Sequence, residues 1–400
     1  MHVAVDKNKP SPEWIEDLRR RFPCEKEVDR ILTAKMRRRS GPGFSPIALE
    51  TLVKGAESLI RAEYREPFEI SNARWLSGGA SKLQVAFSLT WNRPGGGRET
   101  TAMVLRMEPA ESIVETSRLR EYQLIKAFNG IVPVPPVFWV DNEGKHLPYP
   151  ALIYGFAQGV TKPSNATSKT TGMGTYIAPE WRGRLGPQFV DCLARIHTRD
   201  IASAGLTAFD PPQPGTHCQA LALNMWERIW EEDSDEDIPL LRLAAVWLRE
   251  NAPSCAKPVI SHCDYRVGNF LFTEHDAKIT AILDWEMARI GDHHHDLAWT
   301  SAHSYGHYAE DGKTFLVGGF MSEAEFFDAY QKASGHTVDP KVLYYYQVYI
   351  GYVQGVISVS TTYRIARNGK THQDVLQAWI MGYGYKMMDD LRSLLEQGAH

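Results

Sequence analysis

This 400-residue sequence has no long apolar run and no excess of positive charge. A membrane-spanning helix needs about twenty apolar residues, and no such stretch occurs, so we expect no membrane segment. The first residues are polar and charged, unlike a secretory signal peptide. A formal net charge of −4 provides no general basic field, so we expect no nucleic-acid partner.

The cysteines form no metal-binding or disulfide pattern. There are five of them, widely spaced and without a Cys-x-x-Cys pair. This spacing argues against a zinc ribbon and a disulfide framework. A reducing compartment suits such thiols, and together with the absent leader and membrane segment it leads us to expect a cytoplasmic protein.

The hydrophobic pattern predicts an α+β protein with two lobes, since 400 residues exceed the size at which one core usually stops growing. Residues 1–69 alternate basic and apolar positions, which predicts a helical extension. Residues 70–157 contain strand-like runs such as "KLQVAFSLTW" and "TTAMVLRM" and one helical segment, which predicts a small antiparallel β-rich N-lobe. Helical spacing dominates residues 158–400 and predicts a larger, mainly helical C-lobe.

Three oxygen-bearing side chains are typical of a phosphate-transfer site. The segment "SHCDYRVGNF" places Asn269 five residues after Asp264, and "AILDWE" places Asp284 fifteen residues after Asn269. Strand-like runs flank both segments, so these side chains are expected in loops between strands. Phosphoryl transfer needs a carboxylate near the acceptor hydroxyl and hard oxygen ligands for magnesium, and the protein-kinase pattern has the same Asp-to-Asn spacing. The alternative is a turn that Asp264 and Asn269 merely stabilise through bonds to the backbone.

The N-lobe supports the same chemistry. "SGGASK", Ser77 to Lys82, has a glycine pair between two strand-like runs, where backbone N–H groups can approach phosphates. A plain hairpin is the common explanation of such a pair, since no Walker sequence is present. About twenty-five residues later a strand ends in "VLRM", where Arg106 would reach nucleotide phosphates and Glu121 on the next helix would pair with it.

The order of these motifs resembles that of the aminoglycoside phosphotransferase/choline kinase-like family. The motifs are, in order, the glycine loop, the strand cation, the helix glutamate, the connector "IYGFAQG", "HCDYRVGN" and "LDWEMARIGDHHHDLAW". The resemblance covers roughly residues 70 to 390. It is strongest to the phosphotransferase domains related to those fused to acyl-CoA dehydrogenases. It implies a bilobal protein-kinase-like fold and ATP-dependent transfer of phosphate to a small-molecule hydroxyl, with Mg²⁺ as cofactor and GTP as the alternative nucleotide.

The resemblance also implies roles for individual residues. Asp264 would orient or deprotonate the acceptor hydroxyl, while Asn269 and Asp284 would hold magnesium. The segment Tyr154 to Ala157 would present backbone groups to adenine. The nucleotide-binding residues predicted in this way are Ser77, Gly78, Gly79, Ser81, Arg106, Glu121, Tyr154 and Phe156. The chain departs from the family at Cys263, where glycine is usual, and at Arg106, where lysine is usual, although the arginine fork suits phosphate well.

Two other functions are weighed against this one. "GDHHHDLAW" invites a metallohydrolase that uses His262, Asp264 and His293 to Asp296, but no His-Glu-x-x-His or two-metal pattern is present. Asp296 is expected instead to cap a helix or brace the metal loop, with the histidines as surface or supporting groups. A nucleotide-binding pseudokinase would have lost an Asp or Asn of the motif, and none is lost.

The acceptor is less well marked. The acidic run "EEDSDED", Glu231 to Asp237, would attract a cationic aminoglycoside, although a solvated loop is the better explanation of this run. In the same way, a solvated helix face is the better explanation of the "RRR" runs in the N-terminal extension. Tyrosine-rich C-terminal helices with Arg364, Arg367 and Lys370 would suit an apolar or anionic acceptor, unless the tyrosines are core and the basic residues a solvated helix end. We therefore expect a hydroxylated metabolite, such as a hydroxyacyl compound, rather than an antibiotic.

Overall fold

The computed structural model describes residues 5–76, 81–164, 166 and 175–398. Three helices precede the first strand: α1 (Pro12–Arg21), α2 (Lys26–Arg38) and α3 (Leu49–Glu63). Ser11 caps α1 by accepting the N–H of Trp14 at 3.2 Å. Proline at the first helical position has a φ already suited to a helix, so the sequence fixes where this helix begins.

Five strands form one antiparallel sheet in the order β1-β2-β3-β5-β4. The strands and the single helix among them are β1 (Glu69–Trp75), β2 (Leu83–Asn92), β3 (Arg98–Met107), α4 (Arg118–Phe128), β4 (Val137–Asp141) and β5 (Ala151–Gly155). Central strand β3 pairs with β2 and β5, which places Arg106 opposite Gln84 and Leu152.

The two faces of this sheet have different uses because side chains alternate along each strand. Leu105 of β3 packs in a core shared with Leu59 of α3. Val104 lies on the opposite face, in a small apolar cluster with Tyr154 of β5. Arg106 is two residues beyond Val104 and therefore shares its face. One face thus buries the core of the N-lobe, and the other carries an arginine beside apolar side chains.

The rest of the chain is mainly helical. Its helices are α5 (Pro179–Thr198), α6 (His217–Asp233), α7 (Pro239–Glu250), α8 (His294–Ser301), α9 (Glu323–Ser334), α10 (Pro340–Val356), α11 (Thr362–Arg367), α12 (Asp374–Met381) and α13 (Gly384–Gln397). Helix α10 crosses the core, and its tyrosines Tyr345, Tyr346, Tyr349 and Tyr352 are buried. These tyrosines are therefore core residues.

Short strands interrupt the helices. They are β6 (Val259–Ser261), β7 (Phe270–Thr273), β8 (Lys278–Ile282), β9 (Arg289–Gly291), β10 (His307–Tyr308), β11 (Phe315–Val317) and β12 (Met321–Ser322). Strand β6 pairs with β9, and β7 pairs with β8, both antiparallel. The loop after β6 contains Asp264 and the loop after β8 contains Asp284, and these strand pairs hold both loops.

This architecture confirms the predicted α+β class, with an antiparallel β-rich part and a larger helical part. The boundaries at residues 69 and 157 stay predictions. Helices α1 and α2 contact α6, whereas α3 contacts β1 and β4. The predicted helical run after Pro340 is interrupted by a π-helical turn at Ile357–Thr361. Among the described helices, none has the length and apolar character that crossing a membrane requires.

The expectation that the two charged runs are solvated is wrong for several residues. Arg39 and Asp233 are each at most 2% exposed, and their side chains pair at 2.5 Å. Lys35 likewise pairs with Glu232 at 2.7 Å. Burial of these charges is tolerated because each has an opposite partner, brought to it by the packing of α2 on α6.

Candidate active site

The loop after β6 is fixed by a carboxylate from α8. Asp296 is fully buried and accepts the backbone N–H groups of His262 at 2.7 Å and Cys263 at 2.6 Å. Cys263 has φ +66°, a left-handed conformation that favours glycine. The loop therefore turns sharply just before Asp264. Asp296 lies inside α8 and braces the Asp264 loop, so of its two predicted roles, capping a helix or bracing a loop, it does not have the first.

Three donors hold the side chain of Asp264. Its Oδ1 accepts from Arg266 Nε and from Trp299 Nε1, both at 2.8 Å, and its Oδ2 accepts from Asn269 Nδ2 at 2.6 Å. Burial raises the pKa of Asp264 and nearby Asp284 adds to the rise, although Arg266 opposes it. The result is a buried carboxylate in one fixed orientation, suited to accept a hydrogen bond from a hydroxyl group.

Two aromatic side chains lie beside the carboxylate of Asp264. The rings of Trp299 and Tyr305 stack with centroids 5.5 Å apart. The guanidinium of Arg266 lies 5.3 Å from the Tyr305 ring centroid. Asp264 is thus flanked by a cation and by apolar ring surface.

Asn269 links the Asp264 loop to the Asp284 loop. Its Nδ2 also donates to the backbone oxygen of Asp264 at 2.9 Å, so the amide orientation is fixed. Its backbone oxygen accepts the N–H of Leu283 at 2.8 Å. The next residue, Asp284, has φ +65°. The structure therefore brings the three predicted residues Asp264, Asn269 and Asp284 into one region.

Arg106 reaches the same region from the N-lobe. Its Nη2 lies 2.5 Å from Asp284 Oδ1 and 3.0 Å from Glu286 Oε2. The predicted pair with Glu121 is present, with Nε 3.5 Å from Oε1. Arg106 is 6% exposed, and its closest contacts are with carboxylates of the C-lobe.

Sequence analysis did not assign the rest of this ion network. Lys82 Nζ lies 2.7 Å from Glu108 Oε2 and 3.2 Å from Glu286 Oε2. Arg118 Nε lies 2.9 Å from Glu108 Oε1, and the same side chain pairs with Glu121 and with Glu286. Lys82 stands in the quoted glycine segment, but its partners are 26 and 204 positions away. Such separations leave no local signal.

The network has one carboxylate more than it has cations. Three cations, Lys82, Arg106 and Arg118, face four carboxylates, Glu108, Glu121, Asp284 and Glu286. Burial alone would raise the pKa of Glu286, but the three cations hold this pKa well below its usual range. Asp284 is the most exposed of the four carboxylates, at 29% of its side chain. The uncompensated negative charge can therefore accept a cation there.

The predicted glycine-loop residues are only partly visible. Ser77, Gly78 and Gly79 lie outside the described residues. Ser81 donates through Oγ to Glu286 Oε1 at 3.1 Å, which directs this hydroxyl toward the ion network.

The predicted adenine segment borders the apolar face of the sheet. Tyr154 belongs to the cluster with Val104, and Phe156 packs against that cluster. Burial raises the pKa of Tyr154 to about 12, so its hydroxyl stays protonated. The N–H of Phe156 donates to Ala102 O at 2.8 Å. Phe156 can therefore offer a ligand its carbonyl oxygen, but not its N–H.

The residues of the metallohydrolase alternative do not form one site. His262 uses Nε2 on Leu283 O at 3.0 Å and accepts the N–H of Asp264 through Nδ1 at 3.3 Å, so both ring nitrogens are engaged. The His/Cys/Asp/Glu groups close enough to share a metal, within the described residues, are Cys263 with His295 and Asp296, and Asp292 with His293 and His294. Neither group contains Asp264.

The histidines themselves are mostly internal. His294 and His295 are about 95% buried, so of the two predicted positions, surface or supporting, the surface one is wrong for both. His294 joins Asp292 Oδ1 at 2.7 Å to the backbone N–H of Asp339 at 2.9 Å. It therefore ties the start of α8 to the start of α10.

The basic residues considered for the acceptor are used within the fold. Arg364 is buried and donates to Asp233 O at 2.8 Å. Arg364 and Arg367 both pair with Asp235. Lys370 donates to the backbone oxygens of Gly41 and Pro42. These residues therefore give no support for an anionic acceptor.

Comparisons with known proteins point to one family of enzymes. A sequence model described as "Phosphotransferase enzyme family" matches residues 75–340, well over half of the chain. Acyl-CoA dehydrogenase family member 11 of Rattus norvegicus is 26% identical over 241 residues, which are 56% of this chain and 29% of that protein. The chain thus spans less than a third of that relative.

Solved structures share the fold. A thermostable mutant of aminoglycoside phosphotransferase APH(4)-Ia, in a complex with AMP-PNP and hygromycin B, has a TM-score of 0.50 and 16% identity over 84% of this chain and 98% of its own. The GDP and kanamycin complex of APH(2″)-IIIa has a TM-score of 0.51 and 15% identity over 84% and 98%. These similarities confirm the predicted kinase-like fold.

Proposed function

Because the chain belongs to the phosphotransferase enzyme family, we propose that it transfers the γ-phosphate of ATP to a hydroxyl group of a small molecule. One observation carries the proposal. Asp264 and Asn269 are in direct contact, Asn269 bonds to the backbone of Leu283 next to Asp284, and Arg106 of the N-lobe lies 2.5 Å from Asp284. Phosphoryl transfer needs a carboxylate for the acceptor, two oxygen ligands for a metal ion and a cation for the phosphates, all in one region.

Asp264 is assigned to the acceptor hydroxyl. A carboxylate within hydrogen-bond reach of that hydroxyl orients it and accepts its proton as the bond to phosphorus forms. The three donors around Asp264 keep its carboxylate in one orientation, so little reorganisation is required when the acceptor arrives. The position of the carboxylate, more than its basicity, is then its contribution.

Asn269 and Asp284 would hold magnesium. Their carbonyl and carboxylate oxygens are the hard ligands that this ion prefers, and the surplus negative charge of the ion network lies at Asp284. Bound magnesium would supply positive charge that screens the nucleotide's phosphates. Arg106, fixed by Glu121 and Glu286, would add a cation of constant charge on the same side.

The nucleotide would lie against the Val104 face of the sheet. Tyr154 and Phe156 border that apolar surface, which suits a flat purine ring. Ser81 is assigned to the phosphates because its hydroxyl bonds to Glu286 of the ion network. Ser77, Gly78 and Gly79 are assigned with it from the sequence pattern. ATP is proposed and GTP is the alternative, since backbone contacts of the connector decide between the two purines.

The acceptor is proposed to be a hydroxylated metabolite, such as a hydroxyacyl compound, rather than an aminoglycoside. Arg266 places a guanidinium 2.8 Å from the carboxylate that would receive the acceptor. Because Arg266 already pairs with Asp264, a polycationic antibiotic would have to compete with Arg266 for that carboxylate, whereas a neutral or anionic compound would not. Trp299 and Tyr305 offer a flat apolar surface next to it. The similarity to acyl-CoA dehydrogenase family members favours an acyl compound.

The test is magnesium-dependent ADP or GDP release across a panel of aminoglycosides, a macrolide, choline, sugars and hydroxyacyl-CoA compounds. Stimulation by a hydroxyacyl compound, absent in Asp264→Ala, is the expected result. Stimulation by an aminoglycoside alone would overturn the acceptor assignment while keeping the reaction. Nucleotide binding with no turnover on any acceptor would favour the second candidate, a nucleotide-binding pseudokinase.

A further inference from the structure

A small cavity lies behind the ion network, away from Asp264. It is bounded by α2, α4, α6 and the segment that leads into β9, and its volume is about 60 Å³. A water molecule needs roughly 10–15 Å³ by this measure, so the cavity holds about four waters or one small ion with four oxygens. Its apolar lining includes Val28, Leu221 and Met225.

Two arginines from different parts of the fold line this cavity. Arg120 of α4 is 6% exposed, and its buried Nε has no hydrogen-bond partner. Arg289 of β9 donates through Nη1 to Tyr349 Oη at 3.1 Å, and its buried Nε also lacks a partner. No carboxylate among the described residues forms an ion pair with Arg289. Two N–H donors that have lost contact with water are therefore unsatisfied beside one cavity.

The charge around the two arginines is unbalanced. Glu25, just before α2, pairs with Arg120, with both its oxygens 3.2 Å from Nη2. Two other carboxylates of the lining are engaged elsewhere, Glu115 with Arg38 and Glu286 in the ion network. Asp210, at the opening, accepts the backbone N–H of Lys26.

The imbalance also affects ionisation. Burial lowers the pKa of Arg120 and the neighbouring Arg289 adds to this effect, although Glu25 opposes it. Two guanidinium groups therefore share one close carboxylate, and a second anion between them would complete the pairing.

We propose that this cavity binds a tetrahedral oxyanion, inorganic phosphate, between Arg120 and Arg289. Planar guanidinium forks bind phosphate oxygens through paired N–H groups, and the cavity has the size of one such ion. Arg120 lies one residue before Glu121, and Arg289 three residues after Glu286. A phosphate held there would tie α4 to β9, and so steady Glu121 and Glu286, two of the three carboxylates that contact Arg106. The proposal does not depend on the catalysed reaction.

Isothermal titration of the full chain with inorganic phosphate tests this site. The wild-type protein and Arg242→Met, an exposed control whose side chain is 56% accessible, should bind one phosphate. Arg289→Met should lose at least about tenfold in affinity, which is 1.4 kcal/mol. Arg106→Met should retain the binding, because Arg106 serves the nucleotide site. No binding by wild type, or loss in Arg106→Met with retention in Arg289→Met, would overturn the proposal.

A variant that should bind phosphate more tightly keeps the test informative if Arg289→Met misfolds. Glu25→Gln removes the one carboxylate that competes for Arg120 and should tighten phosphate binding by at least about threefold, even at a high effective dielectric. Glu13→Gln, on the exposed side of α1, is the matched control and should change nothing. Unchanged or weaker binding in Glu25→Gln would show that phosphate does not occupy this cavity.

Discussion

Replacement of Trp299 by phenylalanine isolates one of the three bonds that hold Asp264. The indole Nε1 donates to Asp264 Oδ1 at 2.8 Å, and phenylalanine keeps most of the ring but has no donor. Arg266 stays on the same oxygen at 2.8 Å. The charged form of Asp264 therefore loses one hydrogen bond, whereas its protonated form loses little.

The size of the effect follows from the bond's chemistry. A hydrogen bond to a charged group contributes about 1.5–3 kcal/mol, and one pKa unit corresponds to about 1.4 kcal/mol. Loss of the Trp299 donor should raise the pKa of Asp264 by about 1–2 units, toward the lower value if Arg266 moves closer. A higher pKa leaves less carboxylate at low pH, so the acidic limb of kcat/KM should move to higher pH.

The assay is the pH dependence of kcat/KM, measured by ADP release at about pH 5 to 8 with the acceptor found in the panel. Trp247→Phe is the control, because Trp247 packs on Tyr344 and Tyr345, away from Asp264. Only the difference between variant and wild type is used, since the charge of Asp284 acts on the pKa of Asp264 in both proteins. An acidic limb that stays in place or moves to lower pH would refute this reasoning.

Two further predictions concern the surroundings of the site. Glu286→Gln removes the carboxylate that contacts Lys82, Arg106 and Arg118. The other carboxylates still balance these cations, so the lost charge-assisted hydrogen bonds should cost about 1.5–3 kcal/mol of unfolding free energy, seen as a lower urea midpoint. The exposed pair of Glu143 with Lys145 provides the control Glu143→Gln, expected to leave the midpoint nearly unchanged, and equal midpoints for both variants would contradict the network. Asp296→Asn loosens the loop before Asp264 and should lower kcat by up to about a hundredfold with nucleotide affinity unchanged; a loss confined to nucleotide affinity would contradict that role.

Residues close together in the sequence were the most predictable part of the site. Asp264 and Asn269 are five positions apart on a loop between short strands. Their spacing in the sequence and the short loop that carries them are enough to bring the two side chains close together. Arg106 could be placed because it ends an apolar strand-like run that follows another such run across a glycine-rich turn. The antiparallel sheet was predicted from the same runs and turns.

Partners distant in the sequence could not be predicted. Trp299 reaches Asp264 from 35 positions away, and nothing in its neighbourhood marks it as a donor. Arg39 and Asp233 look like solvated charges because each stands in a run of like charges, yet 194 positions separate two buried partners. Burial of a charge depends on a counter-charge supplied by tertiary packing, which a local window does not contain.

Helix continuity was a second weak point. Apolar spacing after Pro340 continues through Ile357–Thr361, so periodicity alone does not predict the π-helical turn there. The strands β10, β11 and β12 have two or three residues each, too few for a period to show. Such features depend on packing rather than on sequence pattern.

The most direct test of the account compares γ-phosphate transfer and nucleotide binding in the wild type and in Asp264→Ala. Radiolabelled ATP reports transfer to the acceptor, and titration with ATP and magnesium reports binding. The account predicts that the variant loses transfer while nucleotide affinity stays within about threefold, because Asp264 serves the acceptor and not the nucleotide. Near-normal transfer by Asp264→Ala would contradict the central claim.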